Sequence, residues 1–440
     1  MEEGVKAKRG IRWTTCSTIV KVISQILKIT ILTRILAKED FGLVALVTVV
    51  LGFCNLFADL GFSTGILHKQ NISKKEYSSL YWTSFLFSIL IYIGIIAFSP
   101  LIADFYDQPE ISSIIPIICI NVVVACVGRQ FGTFFYKDLE FKIPSIIEIT
   151  SELGSLLLAI LLALKGFGVY SLVYSVVFQC VLSNILLFIL GIKKYPLSFV
   201  CSFKSIIPFI KIGIYQVGAQ SVNYFSRDFD VLIIGKMLGA TELGVYSLAK
   251  QLVGRPYNLI NPIINKVATP YLAKFQGCLE TLRTQYYKSV SLVSGMNILV
   301  YFLLCIFAYP VVYVLYGESF LDATIIVQVL CLFMLERAIG NPLGSLMAAT
   351  GKTNLDFMWN VVYAIVVPFF IFAGISFHSS LMVAVFLDIC SIILFYPNWR
   401  FVIKPIVGGT FKEYLMAVFN LKGFYHYSRQ EISSYIHRVK

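Results

Sequence analysis

Read as a pattern of apolar and polar positions, the chain falls into twelve long hydrophobic segments. They lie at about 13–36, 41–66, 79–100, 112–136, 144–164, 168–191, 205–236, 241–270, 287–316, 322–349, 354–375 and 380–403. Each is close to or beyond the roughly 20 residues with which an α-helix crosses a bilayer core. Charges interrupt the apolar run most between 205 and 270. The pattern predicts an all-α polytopic membrane protein of about twelve transmembrane helices, and an even number of crossings returns both termini to one side.

The polar stretches between segments alternate in charge. One set holds Lys6, Lys8, Arg9 and Arg12; Lys69, Lys74 and Lys75; Lys137 and Lys142; Lys193, Lys194 and Lys204; Lys274, Arg283 and Lys288; and Lys352. The opposite set is nearly bare of cations: "ADFYDQPEIS" carries Asp104, Asp107 and Glu110, and "YGESFLD" carries Glu318 and Asp322. Cationic loops stay on the cytoplasmic side of a membrane, so both termini are expected in the cytoplasm. The outer loops are too short for an external domain.

Composition agrees with that solvent. Of 440 residues, 58% are hydrophobic and 14% charged, against about a quarter charged in soluble domains. The net charge of +12 follows the loop alternation, which argues against nucleic acid as a partner. Ten cysteines are scattered, many in apolar segments (Cys54, Cys119, Cys180, Cys305, Cys390), without a CxxC pair, and read as small packing residues. The histidines His68, His378, His426 and His437 are isolated, so neither a metal cluster nor a cofactor is expected. "NIS" at Asn71 fits a glycosylation tripeptide in a loop read as cytoplasmic. The basic start leads into a long segment holding Lys21 and Lys28, and reads as a retained first helix rather than a signal peptide.

The chain also echoes itself. "ILTRILAKEDFGLVAL" (31–46) aligns without gaps to "IIGKMLGATELGVYSL" (233–248), pairing Arg34 with Lys236, Leu36 with Leu238, Asp40 with Glu242, Gly42 with Gly244 and Leu46 with Leu248. A repeat of about 200 residues implies two halves of six helices related by an axis along the membrane normal. The expected division is an N-terminal lobe at 1–198, a C-terminal lobe at 199–404 and a basic cytoplasmic tail at 405–440. The tail reads either as an amphipathic helix on the cytoplasmic leaflet or as disordered.

An ionised side chain at the bilayer centre costs at least ~3 kcal/mol, yet several segments carry polar residues at three- and four-residue steps, hence on one helical face. The first segment has Thr14, Thr18, Lys21, Gln25 and Lys28; the second has Thr48, Gly52, Asn55 and Asp59; the fifth has Ser145, Glu148, Glu152 and Ser155. The seventh has Gln216, Gln220, Asn223, Arg227 and Asp230, and the eighth has Lys250, Tyr257 and Asn261. Arg129, Lys211, Arg255, Glu336, Arg337 and Asp388 add single charges. Such residues can simply knit helices together, but five striped helices are better explained by a polar cavity between two six-helix bundles. Cations suit an anionic group such as a phosphate, while amides and tyrosines suit sugar hydroxyls. The cavity is therefore expected to take an amphiphile with an anionic, sugared head.

"SRDFDVLIIGKMLGATELGVYSLAKQL" (226–252) resembles the bacterial polysaccharide flippases, the O-antigen and exopolysaccharide transporters within the superfamily of drug, oligosaccharide-lipid and polysaccharide exporters. Asp230, Ile234, Gly235, Leu238, Gly239, Glu242, Gly244, Tyr246, Ser247 and Ala249 occupy the family's aspartate, "IG", "LG", acidic and "G-Y-S-A" places. "LTRILAKEDFGLVAL" is similar to the family's "TRLL-P-E-FG" turn, with Ala37 and Lys38 where a proline-containing stretch is frequent. The resemblance implies two six-helix bundles forming a V. It also implies movement of polyprenyl-diphosphate-linked oligosaccharide from the inner to the outer leaflet of the bacterial cytoplasmic membrane by alternating access, with an ion gradient as the drive.

On that reading Lys21, Lys28, Arg227 and Lys250 hold the diphosphate of an undecaprenyl-linked glycan. Gln25, Gln216, Gln220, Asn223, Tyr257 and Asn261 contact sugars, and Asp59, Glu148, Glu152 and Asp230 balance charge or carry the coupling ion. Membrane lipids and the polysaccharide polymerase machinery are the expected partners. Two other classes stand beside it: a membrane-embedded polymerase, ligase or acyltransferase on the same glycolipids, and a drug exporter of the same superfamily.

Overall fold

The computed structural model describes residues 2–63, 66, 69, 72–200, 202–275 and 277–420. Within helices, stretches such as 2–9, 211–216 and 262–267 are described by backbone alone. Among the described residues the fold is all-α, without strands. The helices are α1 (Glu2–Leu32), α2 (Lys38–Ala58), α3 (Lys74–Tyr106), α4 (Glu110–Lys137), α5 (Lys142–Leu164), α6 (Val169–Lys194), α7 (Phe203–Met237) and α8 (Gly239–Ala273). They continue with α9 (Leu279–Ile306), α10 (Ala308–Tyr316), α11 (Ala323–Ile339), α12 (Asn341–Thr350), α13 (Thr353–Ile375), α14 (Ser380–Asn398), α15 (Lys404–Val407) and α16 (Phe411–Val418). Each hydrophobic segment expected from the sequence overlaps one or two of these helices, although 13–36 and 41–66 run on past the helix ends at Leu32 and Ala58. Among the described residues ten are long and apolar enough to cross a membrane; α7 and α8, 35 residues each, are the long helices that charges interrupt.

Contacts divide the chain into two compact units. The first runs to Gly244 and takes in Val314–Ser319; the second takes Val245–Tyr313 and the chain from Phe320 on. In the first, α4 packs on α3 and α6, α5 packs on α1 and α6, and α2 packs on α4 and α7. Because α7 lies against α2 and α3, the first unit reaches beyond residue 198. In the second, α11 packs on α9 and α14, and α16 lies against α9.

Apolar side chains gain little by leaving lipid for a helix interface, so helices in a membrane are held by close packing and polar contacts. Ile111, Ile114, Ile115, Ile118, Cys119 and Val122 give α4 a buried face, whereas Leu86, Leu90, Ile93, Phe98 and Leu101 of α3 are left exposed to lipid. Small residues mark the closest approaches. A Cβ at Gly128 would come within 2.6 Å of the Asn184 backbone, and one at Gly191 would strike Phe131.

The tightest such contact joins the two copies of the repeated turn. A Cβ at Gly42 would collide with the carbonyl of Ala240, and one at Gly244 with the carbonyl of Lys38. Gly42 and Gly244, like Lys38 and Ala240, are equivalent positions of the alignment, so the contact is reciprocal, as a local two-fold relation requires. The equivalent cations both reach beyond their own turn, one to a backbone carbonyl and the other to a carboxylate. Arg34 donates to the carbonyl of Val314 at 2.9 Å, and Lys236 reaches Asp107 at 2.7 Å.

At the other ends of these helices a polar clamp ties the α4–α5 turn to the end of α6. Lys194 lies 2.9 Å from Asp138 and 2.8 Å from Glu140, and the Tyr195 hydroxyl donates to Asp138. Burial pushes the Asp138 carboxyl up, but the Tyr195 and Lys194 hydrogen bonds and the charges of Lys194 and Lys137 outweigh it and hold it below its ordinary 3.8.

Alanine is the better helix former by about 1 kcal/mol, so Gly94→Ala, where the new Cβ meets nothing within 4 Å, should leave the melting temperature in detergent unchanged or raised. Gly42→Ala and Gly244→Ala should each lower it by several degrees. Equal behaviour of all three would show that the reciprocal contact does not hold the turns. For Asp138, a carboxyl held low in the fold stabilises above its unfolded pKa, and that stability is lost as pH falls through the folded value. Asp138→Asn should therefore melt below wild type at pH 7, and the gap should close below about pH 4.

Candidate functional site

In the first unit, Asn55 and Asp59 share one face of α2, and the chain past that helix turns back on itself. Left-handed backbone at Leu60 (φ 49°) and Gly61 (φ 69°) brings Ser63 to Asp59, where its hydroxyl donates at 2.6 Å and its N–H at 3.4 Å. From α4, Arg129 donates to the Asn55 side chain at 3.0 Å and lies 3.7 Å from Asp59. These groups line a cavity of about 260 Å³, closed from α7 by Val217 and Gln220.

Gly52 sets that closure. A Cβ there would strike the hydroxyl of Tyr224, which donates to the Val49 carbonyl at 3.0 Å. The missing side chain lets α7 approach α2, and one turn earlier along α7 stands Gln220. Arg129 carries five N–H donors; Asn55 takes one at full hydrogen-bond length, and 3.7 Å to Asp59 is longer than such a bond. The cavity thus combines an incompletely engaged guanidinium with a carboxylate, an amide and a hydroxyl, which suits exchange of Asp59 for an anionic oxygen.

A second polar seam joins α1 to α5 and α6. Lys21 pairs with Glu148 at 2.9 Å, and Lys28 donates to Ser155 at 2.8 Å. Both partners advance by seven residues, two helical turns, so α1 and α5 run parallel and in register. Glu152, fully buried, accepts from the Gln179 amide, and Ser155 donates on to the Ser175 carbonyl at 2.7 Å. The structure therefore puts an expected diphosphate ligand, Lys21, onto an expected charge-balancing group, Glu148. Gln25 is half-buried between the two lysines along α1.

The stripe on α7 divides. The Gln216 side chain lies outside the described residues; Gln220, Asn223 and Arg227 are exposed, while Asp230 is buried and accepts from the Val231 N–H at 2.9 Å. Asp228, the next residue along α7, is held by Arg227 through two bonds of 3.0 and 2.8 Å. Adjacent Cβ atoms diverge on a helix, but the arginine is long enough to fold back, and its guanidinium stacks 5.0 Å over Tyr224. In the second unit, Lys250 is half-buried, and Tyr257 carries the Arg337 guanidinium 5.6 Å above its ring. Asn261 is buried and neither atom of its amide finds a partner among the described residues. Residue spacing found Asn55 and Asp59 but left Arg129 as an isolated charge and Ser63 unremarked.

The fold is shared with solved polytopic membrane proteins. The lipid II flippase MurJ in an inward closed conformation superposes with a TM-score of 0.76 at 13% identity, covering 93% of this chain and 90% of that one. An inward-facing multidrug resistance MATE family transporter of the MOP superfamily superposes at 0.65 with 14% identity, covering 89% and 98%. Within that fold, the sequence profile described as "Polysaccharide biosynthesis protein" matches residues 31–325, and the chain belongs to that family. It is 30% identical over 353 residues to the amylovoran biosynthesis protein AmsL of Erwinia amylovora, covering 80% of this chain and 91% of that protein. It is 26% identical over 423 residues to the lipopolysaccharide biosynthesis protein WzxC of Escherichia coli K12, covering 94% and 84%. A membrane protein of the Klebsiella pneumoniae cps region is 28% identical over 417 residues, covering 94% and 86%.

If Asp59 and Arg129 answer one another, Asp59→Asn and Arg129→Gln should each destabilise the detergent-solubilised protein, and the double variant should lose less than their sum. A coupling of about 1 kcal/mol in the thermal or denaturant cycle is expected for groups in one network. Strict additivity would remove the pair as a unit.

Proposed function

We propose that this protein is a flippase that moves polyprenyl-diphosphate-linked oligosaccharide units from the inner to the outer leaflet of the bacterial cytoplasmic membrane, feeding surface polysaccharide assembly. The observation that carries the reading is the Arg129–Asp59–Asn55–Gln220 cavity, sunk among membrane-crossing helices of a polysaccharide biosynthesis protein. A guanidinium beside amides and a hydroxyl suits a phosphate attached to a sugar.

Lys21, Lys28, Arg227 and Lys250 are proposed as contacts of the diphosphate. Gln25, Gln216, Gln220, Asn223, Tyr257 and Asn261 are proposed as sugar contacts. Pairing of Lys21 with Glu148, of Lys28 with Ser155 and of Arg227 with Asp228 suits transient binding. The cations are answered before the substrate arrives, so a diphosphate displaces a partner and binds with part of its affinity spent on that exchange. Asp59, Glu148, Glu152 and Asp230 are the proposed charge-balancing and coupling groups of an alternating-access cycle driven by an ion gradient. Both termini then face the cytoplasm, where polymer-assembling partners gain access to them.

The test is the leaflet distribution of lipid-linked repeat units in cells depleted of the protein. Complete units should accumulate on the inner leaflet, and wild type should restore them to the outer leaflet. A variant with Lys21, Lys28, Arg227 and Lys250 all changed to Gln should not restore them, although it is inserted and monodisperse. Unchanged sidedness on depletion would refute flipping; rescue by the four-cation variant would refute these cations as the diphosphate site.

A further inference from the structure

The second unit carries a cavity of its own, of about 490 Å³, between the first turns of α9 and the short helix α16. Its charged wall comes from Glu280, Arg283 and Lys288 on α9 and from Glu413 on α16, with Tyr287 and Asn420 beside them. It takes no part in the site described above.

The local sequence builds it deliberately. Gly408 (φ 71°) and Gly409 (φ 84°) adopt left-handed backbone that side chains avoid, and Thr410 then starts α16 with a capping box. The Thr410 hydroxyl accepts from the Glu413 N–H at 3.3 Å, and the Thr410 N–H donates to the Glu413 carboxylate at 3.2 Å. The helix is bolted to α9 at its far end by Ser294 donating to the Val418 carbonyl at 2.7 Å and Ser291 to that of Asn420 at 3.2 Å. Tyr414 is buried beside Phe395 and Tyr287, with ring centroids 5.7 and 6.2 Å away. On the opposite side Met416 and Phe419 are exposed by 55% and 67%. A short helix with a packed face and an apolar outer flank belongs in the interfacial layer of a bilayer. The loop-charge pattern puts this end of α9 on the cytoplasmic side.

Arg283, Tyr287 and Glu413 converge on Gly409. A Cβ there would lie 2.7 Å from the Tyr287 hydroxyl, 2.8 Å from the Glu413 carboxylate and 3.2 Å from the Arg283 Cδ. Despite that convergence, no Arg283 nitrogen comes within 4.0 Å of a carboxylate oxygen among the described residues. The Arg283 guanidinium and the carboxylates of Glu280 and Glu413 thus line one cavity without closing on each other. A purely anionic headgroup would meet Glu280 and Glu413 as well as Arg283 and Lys288. A headgroup carrying a phosphate and an ammonium a few ångströms apart satisfies both signs. The guanidinium takes the phosphate in bidentate fashion, the Tyr287 hydroxyl stays on the Gly408 carbonyl at 3.4 Å, and the carboxylates of Glu280 and Glu413 accept from the ammonium. Those acceptors need N–H donors, which a primary ammonium has and a quaternary one lacks.

We propose that this cavity binds the headgroup of a zwitterionic phospholipid bearing a primary ammonium, a phosphoethanolamine head presented by the cytoplasmic leaflet. The apolar flank of α16 favours the lipid over the free headgroup, because it lets the acyl chains continue along the same helix.

The experiment uses the full-length protein in nanodiscs of equal phosphatidylethanolamine, phosphatidylglycerol and phosphatidylcholine, with retained lipid read by native mass spectrometry after gentle detergent release. Phosphatidylethanolamine should be retained about tenfold over the other two, the effect of one or two charge-assisted hydrogen bonds. Arg283→Gln should abolish that preference. Glu280→Gln with Glu413→Gln should turn it toward phosphatidylglycerol, and Gln at position 413 keeps the capping box, so the helix should survive with an unchanged melting temperature. Glu280→Gln alone, on the exposed start of α9, should move the selectivity in the same direction. Equal retention of the three lipids, or a preference untouched by the charge variants, would overturn the proposal. Displacement of bound lipid by soluble O-phosphoethanolamine as readily as by vesicle phosphatidylethanolamine would overturn the lipid as its source. Displacement by inorganic phosphate alone would reduce the cavity to an anion site.

Discussion

A charge inside hydrocarbon must be answered by the protein itself, because water is not there to do it. The first unit follows from that constraint. Lys21 and Lys28 enter the membrane on α1, and α5 meets them in register with Glu148 and Ser155. Glu152, buried away from solvent, accepts from the Gln179 amide of α6. Arg129 finds Asn55 and Asp59. Each contact ties two helices whose apolar faces would gain little from meeting, so the groups that are costly to insert are also the ones that specify which helix lies beside which.

The second device is backbone proximity. Glycine and small residues allow main chains to approach where side chains would hold them apart, and in lipid that closeness replaces hydrophobic burial as the source of packing energy. The reciprocal seats of Gly42 on Ala240 and Gly244 on Lys38 show why the sequence echo survives in this form. A turn that packs on its own relative must keep the small residue in both copies, since either Cβ would break the same contact. Gly52 applies the same logic to the cavity, admitting the Tyr224 hydroxyl and with it the polar side of α7.

Much of this was legible beforehand, in uneven fashion. Hydropathy located the helices because the period and the solvent are both simple. It ran past Phe307 and Gly340, where helices end inside stretches read as single segments. Helical spacing placed Lys21, Lys28, Glu148 and Glu152 on faces, but it could not say that α1 faces α5, since pairs separated by 127 residues are set by topology. Arg129 had no striped neighbours on its own helix, so its partners on α2 left no trace in α4. Arg227 and Asp228 meet although they are adjacent, because a helical wheel positions Cβ atoms while an arginine side chain spans more than the arc between neighbours. Asp230 shared the face of Gln220 and Asn223 in projection, yet its buried carboxylate engages backbone. Periodicity thus reads faces, and the reach of long side chains decides which of them meet.

The pairing of Lys21, Lys28, Arg129 and Arg227 has a consequence for the proposed function. A transporter that left a buried guanidinium or ammonium unanswered would bind a diphosphate tightly and release it slowly, because the desolvated charge would be stranded again on release. A cation that returns to a carboxylate, amide or hydroxyl removes that penalty from the release step. Binding is then an exchange of partners whose net free energy is small even though each interaction is strong. Under the proposed function, the 3.7 Å spacing of Arg129 from Asp59 suits such an exchange: the carboxylate is near enough to neutralise the guanidinium, yet it is held by Ser63 at 2.6 Å. Affinity surrendered in this way is what allows a carrier to let go on the far side of the membrane.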